Sequence, residues 1–158
     1  MPSQVRVSGN TKGLDRMLKN VSTKLSARVG IFASDNARDD GMTNSVIGAK
    51  HEFGSLSEGL PRRSFLKDPI TMKRKELLKT AEKVIKANID KEGGAKKIFE
   101  LIGIAGEAIV QEAFESGGFG TWQPISQMTA NAKGSSQILI DSSQLRKAVT
   151  STVKNGNT

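Results

Sequence analysis

The stretch KKIFELIGIAGEAIVQEAFE, residues 96–115, carries apolar side chains at Ile98, Leu101, Ile102, Ala105, Ile109, Ala113 and Phe114. Spacings of three and four place them on one face of a helix that ends near Glu115. Gly103 and Gly106 lie inside that helix, where each glycine costs about 1 kcal/mol relative to alanine. Small residues on a helix face let another backbone come close, so a tight contact is expected at these two positions.

Reading outward from this helix gives the rest of the fold. KEGGAKK breaks the chain just before it, because the paired glycines at 93 and 94 favour a left-handed helix end. Upstream, a first long helix is predicted from Ser64 or Asp68 to Asp90. Its apolar side is drawn from Ile70, Leu77, Leu78, Ala81, Val84, Ile85 and Ile89, with Pro69 tolerated in the first turn. SVIGAKHEFG reads as a short helix closed by Gly54, and SDNARDDGMTN before it as a loop. ARVGIFA reads as a strand. From Thr11, the residues Leu14, Met17, Leu18, Val21 and Leu25 have helical spacing, and SQVRVSG alternates as a short first strand. Downstream, ESGGFGTWQPIS is a flexible loop holding the sole Trp, and TANAK adds a helical turn. QILID is a strand, SSQLRK a turn or short helix, AVTSTV a last strand, and KNGNT a frayed tail. Terminal strands with central helices predict an α+β fold: a small, mostly antiparallel sheet from the N- and C-terminal strands, packed against two long central helices. Residues 1–153 are expected as one domain, with 154–158 as a flexible C-terminal tail.

Composition narrows the chemistry. The chain has 158 residues and no cysteine, which removes disulfides, thiolate metal sites and cysteine nucleophiles. Its single histidine, His51, would need Glu52 and the Asp35, Asp39, Asp40 loop to hold a metal, whereas zinc and non-haem iron sites recruit two or more nitrogen or sulfur ligands. No nucleophile elbow, phosphate loop or dinucleotide fingerprint occurs. The expectation is a protein that is not an enzyme and takes no cofactor or metal. No apolar run reaches the roughly 20 residues of a membrane span, so no membrane contact is expected, and synthesis in the cytoplasm is the default.

The net charge is +8. From Arg62 to Lys97 twelve basic side chains face five acidic ones, so the surplus sits on the first long helix and its flanks. Such a stripe attracts phosphate backbones or an acidic protein surface, or serves only as a solvated face. No tyrosine occurs and no aromatic interleaves the lysines, so stacking platforms for single strands are missing and sequence-specific reading is not expected.

HEFGSLSEGLPRRSFL, residues 51–66, is the remaining singular stretch. A polar, flexible connection runs from Gly54 to Pro61. Arg62 and Arg63 then stand, exposed, directly before apolar Phe65 and Leu66. A planar multiply donating cation beside a rigid apolar anchor suits an interface. Equally, Phe65 and Leu66 enter the core while the arginines face water.

These motifs resemble those of the tail-completion, or virion-morphogenesis, family of long-tailed bacteriophages. HEFG and LPRRSFL match the family's paired elements, H-E-F/Y-G followed by I/L-P-x-R-P-F-L. WQPISQMTANAKGSSQILIDSSQLRKAVTSTV is similar to its C-terminal block through Trp122, Pro124, Asp141 and Leu145. Together they cover roughly Ile47 to Val153. Two positions depart from the pattern: Ser64 replaces the second proline, leaving that loop less rigid, and Ser142-Ser143 replaces a Thr-Gly pair. The resemblance implies a virion protein of the neck, or top of the tail, that assembles as a homo-oligomeric ring. Its implied partners are the tail tube or tail terminator and head-connector proteins, with possible contact to phage DNA. It further implies that His51, Glu52, Phe53 and Gly54 close a short helix while Pro61, Arg62, Arg63 and Phe65 set a loop against a neighbouring subunit or partner ring; within that reading, the specific expectation for Arg63 is a carboxylate partner across the contact. The alternative is a basic DNA-associated protein that binds nucleic acid non-specifically.

Overall fold

A computed structural model describes residues 11–35, 37, 41–124 and 144–156. Among these, six helices and two strands form: α1 (Lys12–Ser22), β1 (Leu25–Ile31), α2 (Asn44–Phe53), α3 (Lys67–Met72), α4 (Arg74–Asn88), α5 (Gly94–Ser116), α6 (Gln144–Lys147) and β2 (Val149–Asn155). A 3-10 turn, Ala33–Asp35, follows β1. The strand predicted at 3–9, the helical turn at 129–133 and the strand at 137–141 lie outside the described residues.

The architecture is α+β. β1 and β2 pair antiparallel, from Leu25↔Asn155 to Ile31↔Val149, so the sheet joins the two terminal regions of the chain. Ala27, Val29 and Ile31 stand opposite Val153, Ser151 and Val149. Side chains alternate along a strand, so these six share one face. α5 lies across both strands and α4 packs along α5. The glycines make this possible. A Cβ on Gly103 would sit 3.1 Å from Ser151 Cβ, and one on Gly106 would sit 3.0 Å from Val29 Cγ2. The close contact expected from the sequence is thus the contact between helix and sheet.

The core gathers at the C-terminal half of α5. Phe65, Val110, Phe114, Trp122, Leu145 and Val149 are buried together, with Val29, Ile31 and Ile47 packed against them. Phe65 and Phe114 meet at 5.1 Å between ring centroids. Burial of each such ring contributes on the order of 2–3 kcal/mol. α4, by contrast, has no buried residue.

Several boundaries differ from those predicted. Leu25 begins β1 and does not continue α1, which ends where the Thr23 N–H donates to the Asn20 carbonyl. Ala33 leaves the strand for the 3-10 turn. β2 extends to Asn155, two residues beyond the alternation that marks it in sequence. The first long helix is divided at Lys73, whose ammonium lies 5.0 Å from the centre of the Phe119 ring and 3.8 Å from Glu112. The chain bends there over the end of α5, a contact made by residues distant in sequence.

Candidate functional site

The HEFG segment is the last turn of α2. Thr43 caps the start of this helix, its Oγ1 accepting from the Val46 N–H at 3.4 Å. Gly48 lets the helix lie close to the core, since a Cβ there would meet Ile31 Cδ1 at 2.9 Å. At the other end Gly54 turns the chain with φ +79°, and a Cβ would press to 3.1 Å on the Arg62 nitrogen. The connection that follows is not the loose loop expected. Ser55 and Leu60 exchange backbone hydrogen bonds of 2.9 and 2.8 Å, closing a tight turn that carries Leu56 at its tip.

Glu52 organises what comes next. It is buried, and its carboxylate accepts four hydrogen bonds: from Ser64 Oγ at 2.7 Å and from the backbone N–H groups of Phe65 (2.9 Å), Leu66 (3.0 Å) and Lys67 (3.1 Å). Those N–H groups have no acceptor within the short helix α3, so a carboxylate from another helix satisfies them. Ser64 Oγ also accepts from the Asp68 N–H at 3.0 Å. The serine that replaces proline therefore stiffens the loop by hydrogen bonds where a proline would do so by its ring, which corrects the expectation of a less rigid segment. Beside it the Arg63 N–H donates to the His51 carbonyl at 2.7 Å.

The two arginines have opposite fates. Arg62 is exposed and grips Asp68 through both terminal nitrogens, at 2.6 and 2.8 Å. That bond holds the Asp68 carboxyl below its ordinary pKa and raises that of the Arg62 guanidinium. Arg63, expected on the surface, is only 5% exposed. Its guanidinium donates to the Gln123 carbonyl at 3.0 Å and the Pro124 carbonyl at 3.4 Å, and burial lowers its pKa. Arg63 is thus spent on carbonyls of its own chain, not held out toward a neighbour's carboxylate.

Those carbonyls belong to the C-terminal block, so the separate motifs meet. Trp122 is buried, donates from Nε1 to the Ser64 carbonyl at 2.9 Å, and stands edge-on to Phe114 at 5.9 Å. Gly118 makes room for it: φ is +67° and a Cβ would fall 2.2 Å from Trp122 Nε1. The glycine-rich segment expected to be flexible is in fact a sequence of turns, fixed by Gly118 N–H to Ala113 O at 2.7 Å and Trp122 N–H to Gly117 O at 3.0 Å. Leu145 enters the same core, Pro124 lies exposed apart from its carbonyl contact, and Asp141 lies outside the described residues.

Of the residues singled out by sequence, Glu52, Arg63, Phe65, Trp122 and Leu145 form an internal brace, Gly54 and Pro61 shape the turn, and His51 contributes a carbonyl. Phe53 and Arg62 face outward. Sequence reasoning missed Asp68 as the partner of Arg62, Asn20, and the positive role of Ser64. Chemically the brace offers little to a substrate. Glu52 has its oxygens occupied, and no group of three or more His, Asp or Glu able to share an ion exists among the described residues. No known protein family, curated protein or solved structure matches the chain.

Proposed function

We propose that the chain is a structural virion protein that completes the top of a long-tailed phage tail and joins tail to head, assembling as a ring. The observation that carries this reading is the brace. Glu52, Arg63 and Trp122 tie the HEFG, PRRSFL and W-x-P elements into one rigid unit, from which Phe53, Leu56 and Arg62 project. A preorganised outward tip on a buried scaffold suits recognition of another protein, because little ordering remains to be done on binding. In this reading the chain performs no catalysis. Native mass measurement of the purified protein, alone and mixed with the tail-tube and head-connector proteins of the same particle, tests it. A closed oligomer or a defined complex with either partner is expected; a chain that stays monomeric and joins neither would overturn it.

One observation favours DNA as a second partner. Arg74, Lys75, Lys79 and Lys83 make no ion pair among the described residues and extend along α4. Contact with a phosphate backbone would give an affinity for random duplex DNA that falls steeply with added salt. An affinity insensitive to salt, or none, removes this reading.

A further inference from the structure

The charges of α4 divide into two groups. Lys73, just before the helix, lies 3.3 Å from Glu76, and Lys86 lies 2.5 Å from Glu82. Those two carboxylates are the only acidic groups of the helix, so none remains for Lys75, Lys79 and Lys83. All three are exposed and make no ion pair among the described residues.

Steps of four residues put the three in one row. Each step advances about 6 Å along the helix and drifts about 40° around it, so the row is about 12 Å long. Leu77, Ala81 and Val84 form the half-buried side of α4, which packs along α5, and they lie about half a turn away. The row therefore faces outward along its whole length. Arg74 and the exposed Leu78 and Ile85 stand aside, at least about a quarter of a turn from Lys79.

The composition of the row selects its partner. Protein interfaces are depleted of lysine and draw on arginine and aromatic side chains in its place, and the row holds neither. Lysine is a compact point charge that suits phosphate oxygens without demanding one orientation. With no aromatic ring on α4, nothing there stacks on unpaired bases. What remains is the backbone of a duplex, where each strand presents a charge about every 3.4 Å of axis. A row of about 12 Å spans three or four of them.

We propose that Lys75, Lys79 and Lys83 form a sliding contact for duplex DNA, laid along the phosphates of one strand. The inference rests on the reading of DNA as a second partner, and adds the side chains, the form of nucleic acid and the strength of the contact. Three neutralised phosphates give a slope of about −2.7 in the logarithm of affinity against that of salt, hence an affinity that falls about 40-fold between 50 and 200 mM. So few contacts hold weakly and carry no sequence information, so a duplex slides past while the row keeps one strand close.

Fluorescence anisotropy with a short random-sequence duplex tests this on the full chain and on two variants that each lose three positive charges. The first carries Lys75→Gln, Lys79→Gln and Lys83→Gln. The second carries Arg16→Gln, Lys19→Gln and Lys91→Gln, exposed cations that line a hollow at the start of α5. Glutamine has nearly the helix propensity of lysine and arginine, so both are expected to keep the parent's circular dichroism. Lys79→Gln alone, expected to lose about 0.9 of the slope, serves if the triple variant fails to fold. The first variant is expected to lose about 2.7 of the slope, and the second to stay within about 1 of the parent. A single strand of thymidines of equal length is expected to bind no more tightly than the duplex. A row variant that keeps the parent's slope, a second variant that loses as much, or tighter binding of the single strand would overturn the assignment and leave DNA standing as a partner. Tighter binding of poly-glutamate than of the duplex would overturn it in favour of an acidic protein. A parent that binds no duplex at 50 mM salt would take the DNA reading down with it.

Discussion

At the scale of single residues, Glu52 is the decisive side chain. Beside the only histidine it looks like half of a metal site, yet its four donors make it the cap of a helix twelve to fifteen residues further on. Glu52→Gln keeps the shape but turns an NH₂ toward groups that are themselves donors. A buried donor left without an acceptor costs about 1–3 kcal/mol, and a lower urea midpoint by that amount is expected. Gly118→Ala is expected to be at least as costly, since the added methyl collides with Trp122 and φ is unfavourable for alanine. As Trp122 is the sole tryptophan, a red-shifted emission would report its displacement directly. Neither role was legible in the sequence. A carboxylate bonded to backbone N–H groups needs no particular partner side chain, so no spacing betrays it. Asn20 is hidden for the same reason: its partners are the main chain at Ile89, Lys91 and Ala95.

At the scale of elements, the period of 3.6 made α5 readable almost to its ends, and Gly103 and Gly106 in its interior announced a tight contact, whose partner the structure shows to be the sheet. They also differ in a way that can be measured. Alanine at either site gains about 1 kcal/mol of helix propensity. At Gly106 the obstacle is Val29 Cγ2, the end of a side chain that can rotate for roughly 0.5–1.5 kcal/mol. At Gly103 it is Ser151 Cβ, fixed to the strand backbone. Gly103→Ala is therefore expected to destabilise by about 1–3 kcal/mol, as overpacking does, and Gly106→Ala to be near neutral. Equal effects in thermal melts would mean that α5 and β2 separate freely. The break at Lys73 was not legible: no glycine or proline marks it, and the contacts its ammonium makes with Phe119 and Glu112 come from residues that only the folded chain brings near. Nor was the turn at Ser55–Leu60, whose polar composition suggested freedom while its backbone pairing removes it.

At the scale of the whole molecule, what the structure buries and what it leaves outside divide cleanly. Glu52, Arg63, Phe65 and Trp122 face inward and make a brace, while exposed large apolar side chains lie on α1, around the α2 turn, and at Met72, Leu78, Ile85 and Ile104. Hydrogen–deuterium exchange on the free chain and on the assembled particle tests this division in one measurement. The amides of Arg63, Phe65, Leu66 and Lys67 are expected to exchange slowly in both states, held by His51 and Glu52, whereas the exposed amides of Leu56, Ser57 and Glu58 at the turn gain protection only on assembly. Rapid exchange at Arg63, Phe65, Leu66 and Lys67 in the free chain, or amides at Leu56–Glu58 that exchange equally fast in the particle, would contradict the account.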